Sequence, residues 1–288
     1  MDVLNIPVAP DLLGRWRAWL APERQPLFLT GPEAAGLGLP TVPRTGLQLS
    51  PEERDTLTLW AVAPEADRLL WLDRAGWAAL DARRQRDLLR LQVRHGRGNV
   101  PLGRHYADLL PELLPGRFLW SPEHLGREVL ARLLSAGQAA CQRRAVPEAV
   151  WDAAREVLPG VHALAGTFSQ GPGNCFGAVM GAAGVAGAAD EWTQREPFEA
   201  FLAARTRPEH SQSGGRDDRP GTLLVWRSPD GLAQHAAVTL GRDPSGRSWA
   251  FQKASQSWTT PRVVLPVEEL KRGNRTPGWR LERHTLSR

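Results

Sequence analysis

The chain has 288 residues, 42% of them hydrophobic, so it is long enough to bury a large core and too apolar for an intrinsically disordered protein. Its net charge of +5 comes almost entirely from arginines spread along the chain, which is not the concentrated basic patch of a nucleic-acid-binding protein. The longest run of small and apolar residues, 176–189, is too short and too rich in glycine to span a membrane.

Cysteine and histidine usage limits the cofactors that the chain could hold. Two cysteines, Cys141 and Cys175, cannot form a disulfide framework or a four-ligand zinc site. The seven histidines show no metal-binding spacing, so we expect neither a metal nor another cofactor. The first residues, MDVLNIPVAP, lack the basic and apolar regions of a secretory signal, which predicts a cytoplasmic protein with free thiols.

The first 116 residues predict a mixed α/β accessory region. In chain order, the patterns indicate a helix over 10–20, a strand over 26–31, a loop over 36–46, a helix from Ser50 and an amphipathic helix over 73–95. Ser50 and Glu53 have the spacing of a capping box. No residue of this region carries visible chemistry, so we interpret it as a segment that selects a substrate or a protein partner.

From residue 117 the pattern predicts an α+β domain extending to residue 288. Helices are predicted over 121–142, which includes Cys141, over 147–158, from Cys175 onward, and over 196–206. A polar loop, 208–221, separates them from apolar strands over 222–228, 234–241, 248–255 and 261–270, with turn sequences between. Helices followed by consecutive antiparallel strands are typical of an α+β fold.

The stretch GPGNCFGAVMGAAG places Cys175 where a helix is expected to begin. Unpaired amides and the helix dipole at such a position stabilise a thiolate, which would lower the pKa of Cys175. Each glycine inside a helix costs about 1 kcal/mol relative to alanine. Another backbone packed closely against the helix would explain the glycines that lie within it or near it: Gly177, Gly181, Gly184 and Gly187.

His235 and Gln252 lie on successive predicted strands joined by the turn RDPSG. An antiparallel hairpin would bring the Gln252 amide beside the His235 ring, and a glutamine oxygen can accept the second ring N–H. His235 is expected at a strand edge, outside the core. A cysteine at a helix start, followed by a histidine and its orienting residue, is the arrangement of a nucleophilic cysteine enzyme.

The segment order GNCFGAV, RPGTLLVW, QHAAVTLG and WAFQKAS resembles the NlpC superfamily of papain-fold cysteine peptidases over residues 147–270. Cys175, His235 and Gln252 fall on the three catalytic positions of that family. The resemblance implies a papain-like domain and a cysteine-dependent amidase or peptidase. Its reaction would pass through a thioester on Cys175, with His235 as the base and Gln252 as the residue that orients the ring.

The sequence around the cysteine departs from the family members that cleave peptidoglycan. Those members usually carry Asp-Cys-Ser-Gly, where this chain has Asn174, Cys175, Phe176 and Gly177, and they have an upstream tyrosine that is missing here. In the family these residues grip the amine of the peptide. We therefore expect a peptide or other amide-containing substrate that is not a standard cell-wall stem peptide.

Neighbouring residues complete the predicted site. The backbone N–H of Cys175 is the expected first donor to the oxyanion, and Ser169 or Gln170 the expected second. Three aromatic residues, Phe176, Trp249 and Trp258, are expected to line an apolar cleft near the thiol. Together with Asn174 they are expected to contact the substrate.

Two other functions are compatible with the sequence. The domain could be an inactive papain-like module that binds a protein partner. Alternatively, arginines could bind nucleic acid, with Val93 to Tyr106 as the densest basic segment. We favour a basic surface loop for that segment, and expect no nucleic-acid or membrane partner.

Overall fold

A computed structural model describes residues 1–209 and 216–287. Of the polar loop predicted over 208–221, residues 210–215 lie outside the described residues, while Pro208 is the last residue of a strand. The helices are α1 (Pro10–Leu20), α2 (Gly31–Leu37), α3 (Pro51–Thr56), α4 (Arg74–Ala78), α5 (Ala82–Arg94), α6 (Arg127–Ser135), α7 (Glu148–Val157), α8 (Val161–Leu164), α9 (Cys175–Ala182), α10 (Arg195–Arg205) and α11 (Val267–Gly273).

The described strands are two to ten residues long. They are β1 (Asp2–Val3), β2 (Ile6–Pro7), β3 (Arg24–Leu29), β4 (Val42–Pro43), β5 (Arg68–Asp73), β6 (Thr206–Pro208), β7 (Thr222–Arg227), β8 (Ala233–Arg242), β9 (Ser248–Lys253), β10 (Arg262–Pro266) and β11 (Arg280–Leu286). The mixed α+β composition expected from the sequence is confirmed.

The chain divides into two compact units, one of Ala9–Leu133 and one of Met1–Val8 together with Leu134–Arg288. The first eight residues join the second unit because the backbone N–H of Cys141 donates to Leu4 O and the side chain of Asn5 donates to Cys141 O. The sequence placed the boundary between residues 116 and 117. The observed division lies after Leu133, and no local pattern in the sequence indicated that the two ends of the second unit meet.

The second unit is built on an antiparallel sheet. Within the described residues this sheet has six strands in the order β10, β9, β8, β7, β11, β6. Strands β7 to β10 are consecutive neighbours, as the sequence predicted, while β11 was missed and returns beside β7. The last strand, predicted over 261–270, is too long, because β10 ends at Pro266 and α11 begins at Val267. Helix α9 packs against β8 and β9, which brings its first turn to the centre of the sheet.

The unit Ala9–Leu133 contains a sheet that has three strands among the described residues, in the order β3, β5, β4. Strand β3 is buried on both faces, since Leu27 and Leu29 pack with Leu88 of α5, while Phe28 packs with Leu69 of β5. The open edge of β3 is closed by Gln92, whose side chain accepts from Phe28 N at 2.7 Å and donates to Phe28 O at 3.0 Å.

The sequence predicted well where helices begin, but it predicted poorly how far they extend. The Ser50 and Glu53 capping box forms at the start of α3. The single helix predicted over 73–95 is wrong, because Asp73 and Asp81 each cap a separate helix, α4 and α5. Part of the loop predicted over 36–46 is also wrong, since α2 runs to residue 37 behind its own capping box.

The helix predicted over 121–142 is shorter than expected, and Cys141 lies beyond its end. Helix α6 covers only Arg127–Ser135, after a single turn of 3-10 helix at Pro122–His124. Cys141 is buried in the following loop, where its sulfur accepts a hydrogen bond from Val264 N at 3.4 Å. Its interpretation as a small buried residue is thus correct, although its place on a helix is not. Within the described residues, no helix combines the length and apolar character needed to span a membrane.

Candidate active site

Cys175 is the first residue of α9, as predicted, and Asn174 caps the helix. The Asn174 side chain accepts a hydrogen bond from Gly177 N at 3.0 Å and donates one to Thr193 O at 2.7 Å. Asn174 had been expected to contact the substrate. Because its oxygen and its nitrogen both hold the helix start in place, we assign it to positioning the thiol.

Close backbone packing explains the glycines of α9. A Cβ atom added to Gly177 would lie 2.1 Å from Ala188 O, and one added to Gly181 would lie 2.8 Å from the Cβ atom of Ala189. The expected close packing is therefore confirmed for these two positions. Gly184 and Gly187 lie beyond the helix and adopt positive φ angles of 90° and 77°, which favour glycine for a different reason.

The Cys175 thiol is 8% exposed, and burial raises its pKa to about 11. Four interactions oppose this shift: the backbone N–H groups of Ala236, Phe176 and Cys175 itself favour the thiolate, and the charge of Lys253 also lowers the pKa. The sequence predicted a lowered pKa at this helix start. That expectation is wrong, because the loss of solvent outweighs the amides and the nearby charge.

Lys253 is a buried cation whose position near the thiol was not predicted from the sequence. It is 0% exposed, and its Nζ atom donates to Ser255 O at 2.7 Å and to Ser257 O at 2.6 Å. Lys253 follows Gln252 on β9, so the residue after the orienting glutamine brings a positive charge towards the thiol.

His235 is 4% exposed and lies on β8, between β7 and β9. The sequence placed it at the start of its strand and outside the core, which is wrong, since β8 begins two residues earlier, at Ala233, and the His235 side chain is buried. Burial lowers the pKa of His235 to about 4, and the hydrogen bond to Gln252 opposes that shift. The imidazole is therefore neutral at pH 7 and can accept a proton.

The predicted pairing of His235 with Gln252 is present. Ala237 of β8 is in register with Gln252 of β9, so the hairpin places the two side chains on neighbouring strands. His235 Nε2 and Gln252 Oε1 are 2.8 Å apart. The same oxygen accepts a hydrogen bond from Asn274 Nδ2, also at 2.8 Å.

The thiol lies against the part of β8 that carries the imidazole. One of the N–H groups that stabilise a Cys175 thiolate belongs to Ala236, the residue directly after His235. In the part of the chain that the structure describes, no hydrogen bond joins the Cys175 sulfur to the His235 ring. Catalytic hydrogen bonds of free enzymes are often long and shorten when substrate binds. The arrangement suits a neutral thiol that gives up its proton during attack.

The two residues predicted to help form the oxyanion hole have different environments. Ser169 is buried, and its Oγ atom has no hydrogen-bond partner among the described residues. Gln170 is exposed, and its backbone N–H donates to Asp190 Oδ1 at 3.0 Å. A role for either side chain at an oxyanion stays a prediction.

Three aromatic residues expected to line a cleft are packed in the protein interior instead. The Phe176 ring stacks on Phe198, with ring centres 4.3 Å apart. Trp249 is buried and its indole N–H donates to Asp243 Oδ2 at 2.9 Å, while Trp258 is also buried. Because these side chains are covered by protein, they do not line an open cleft.

Open space lies beside Gln252 and Asn274, the two amide side chains that contact each other next to His235. A cavity of about 670 Å³ is lined by Gln252 and Asn274, and by hydroxyl-bearing residues that include Ser255, Thr259 and Thr260. Among residues 1–209 and 216–287 there is no group of three or more His, Cys, Asp or Glu side chains that could hold a metal ion.

The segment Val93 to Tyr106 does not present its basic residues as one surface. Arg97 is buried and donates to Pro26 O and to Gln25 Oε1, at 3.1 and 2.9 Å. His95 is also buried and lies 2.7 Å from Glu33 Oε2. The interpretation of this segment as a basic surface loop is wrong for these two side chains, which join elements of the first unit.

Asn274 and the Ala236 amide were also missed from the sequence. Asn274 follows α11, more than twenty residues after Gln252, so no spacing connects it with the site. The Ala236 amide could have been suspected, since it follows the predicted base. No family model matches the chain, and comparisons with curated proteins and with solved structures likewise gave no match.

Proposed function

We propose that this protein is a cysteine-dependent amidase or peptidase, with a papain-like domain of the NlpC type in its second unit. The observation that carries the proposal is the 2.8 Å contact between His235 Nε2 and Gln252 Oε1, next to a thiol held against the Ala236 amide. The order of the nucleophile, base and orienting residue along the chain supports the same conclusion. Cys175 is the nucleophile, His235 the base and Gln252 the orienting residue.

In the first step His235 takes the thiol proton on Nδ1 while the sulfur attacks the carbonyl carbon of the amide. The carbonyl π electrons move to oxygen, and the backbone N–H of Cys175 donates to that oxyanion. The pKa lowered to about 4 keeps the free imidazole deprotonated at neutral pH, and it also makes this imidazole a weaker base than a histidine in water. Because both groups are buried, charge develops on them only as the bond forms.

In the second step the oxyanion re-forms the carbonyl and the C–N bond breaks. His235 returns its proton to the leaving nitrogen, which departs as an amine, and a thioester remains on Cys175. Water then attacks the thioester while His235 accepts a proton from it. Collapse of the second tetrahedral intermediate releases the carboxylic acid, and the sulfur regains a proton from His235.

The sequence around the thiol limits the substrate class. Both side-chain groups of Asn174 are used at the helix start, and the Phe176 ring stacks on Phe198. Neither residue therefore replaces the aspartate and serine that grip the peptide amine in the peptidoglycan-cleaving members of the NlpC superfamily. We therefore propose a peptide or other amide substrate distinct from standard cell-wall stem peptides.

A non-catalytic binding module is the second candidate, and the pKa of Cys175, raised to about 11, favours it. Site-resolved labelling with iodoacetamide at pH 7.5 separates the two functions. We expect Cys175 to react at least tenfold faster in the wild-type protein than in the His235→Ala variant, because the imidazole accepts the thiol proton. Mass spectrometry of peptides containing Cys175 and Cys141 would follow both thiols.

Cys141 is the matched internal control, since it is also a free, buried cysteine. Its labelling should not depend on His235. Equal and slow labelling of Cys175 in both proteins would contradict the enzyme and support the binding module.

A further inference from the structure

We propose that Asn274 fixes which nitrogen of His235 carries the proton, and that it does so through the Gln252 amide. This inference rests on the proposed function, because it assigns a positioning residue to the same site. Asn274 lies at the C-terminal end of α11, and its Nδ2 atom contacts two oxygens, Leu270 O at 2.9 Å and Gln252 Oε1 at 2.8 Å.

One group that contacts Asn274 has a fixed hydrogen-bonding role. Leu270 O is a backbone carbonyl and can only accept a hydrogen bond. The Asn274 atom that faces it must therefore be the NH₂ group and not the amide oxygen. An NH₂ group has two hydrogens and no acceptor role in such contacts, so the second hydrogen is directed to Gln252.

The hydrogen-bonding roles of Asn274 and Gln252 in turn determine which nitrogen of His235 carries the proton. Because Asn274 donates, the Gln252 atom that it meets must be the carbonyl oxygen. That oxygen also lies 2.8 Å from His235 Nε2, and two acceptors would repel each other there. His235 Nε2 must then carry the proton, which leaves Nδ1 as the basic nitrogen of the neutral ring.

The fold explains why an asparagine can do this from a distant part of the chain. Strand β9 carries Gln252, β10 pairs with it, and α11 follows β10 directly, so the end of α11 returns to β9. The Asn274 backbone N–H also donates to Leu270 O, at 3.1 Å. A residue that served only to end the helix would need this backbone contact and would not need the side-chain contact to Gln252.

The test is the protonation state of the His235 ring, observed by ¹⁵N NMR on protein labelled at histidine. The His235 signals are assigned by their loss in a His235→Gln variant. We expect the wild-type protein at pH 7 to show a protonated Nε2 and an unprotonated Nδ1. In Asn274→Asp the carboxylate can only accept, so the Gln252 amide should turn, present its NH₂ to both neighbours and move the ring proton to Nδ1.

A second variant covers the case in which the aspartate disrupts the end of α11. Asn274→Leu removes the donor without adding charge, and we expect a mixture of both His235 tautomers. Arg272→Gln, at an exposed position of α11, is the control and should leave the ring signals unchanged. We also expect slower iodoacetamide labelling of Cys175 in both Asn274 variants than in the wild-type protein.

Two results would overturn the inference: a proton on Nδ1 in the wild-type protein, or a proton on Nε2 that persists in both Asn274 variants. Neither result depends on catalysis. If the tautomer follows Asn274 as expected but Cys175 labelling is slow and independent of His235, the proposed function fails while the role of Asn274 in setting the tautomer stands.

Discussion

Replacing His235 with alanine is expected to slow acyl transfer to Cys175 by about 10²–10⁴-fold, the usual contribution of a positioned general base. The thiol has a pKa raised to about 11 by burial, so almost none of it is ionised at neutral pH without a base. The imidazole is the group placed to remove the proton, since Cys175 lies against the amide of the residue that follows it. The rate of p-nitrophenol release from p-nitrophenyl acetate at pH 7.5 measures the effect.

Two variants make this measurement specific. His105→Ala removes an exposed histidine of the other unit and should keep the wild-type rate. Gln252→Ala should give an intermediate loss, because the ring keeps its base but loses the contact at Nε2. A His235→Ala rate within threefold of the wild-type rate, in a variant that remains folded, would show that the histidine is not the base.

Acidification is expected to destabilise the folded protein through His235. Its pKa is about 4 in the folded state, against about 6.5 in an unfolded chain. As the pH falls from 6.5 towards 4, the unfolded chain takes up a proton that the folded protein does not, so the free energy of unfolding decreases. Because folding lowers the pKa of His235, its contribution to the free energy of unfolding is fully present above about pH 6.5 and is lost as the pH falls towards 4. The shift corresponds to a loss of roughly 3 kcal/mol at pH 4.

Urea unfolding at pH 7 and pH 4.5 checks this expectation in the wild-type protein and in His235→Gln. The variant has no titrating ring at this position, so the wild-type protein should lose more stability than the variant by roughly 2–3 kcal/mol. Carboxylates and the other histidines titrate in both proteins, and their effects cancel in the comparison. Parallel losses in the two proteins would contradict a buried neutral His235.

The parts of the fold that depend on neighbouring residues could be predicted from the sequence. The capping box at Ser50 and the helix start at Cys175 are local chemistry, and both are present. The pairing of His235 with Gln252 also followed from a local feature, because a short turn between two strands fixes which residues meet. Helix length was harder to predict, as the cap at Asp81 breaks an otherwise continuous amphipathic pattern.

The features that were predicted wrongly, or missed, depend on packing between distant segments of the chain. The direction of the pKa shift at Cys175 was predicted wrongly because a helix start is visible in the sequence and the burial around it is not. Asn174 was expected at the substrate, but its contact with Thr193 arises only when the segment after α9 folds back. Asn274 reaches Gln252 through the return of α11 to the sheet, which no spacing along the chain indicates.

The location of the covalent intermediate tests the central claim most directly. The protein is exposed briefly to p-nitrophenyl acetate, quenched in acid and mapped by mass spectrometry. We predict one acetyl group on Cys175, present as a thioester that hydroxylamine removes, absent in Cys175→Ala and retained in Cys141→Ala. An unmodified Cys175, or acetylation of Cys141 and Cys175 to the same extent, would contradict a catalytic thiol at the start of α9.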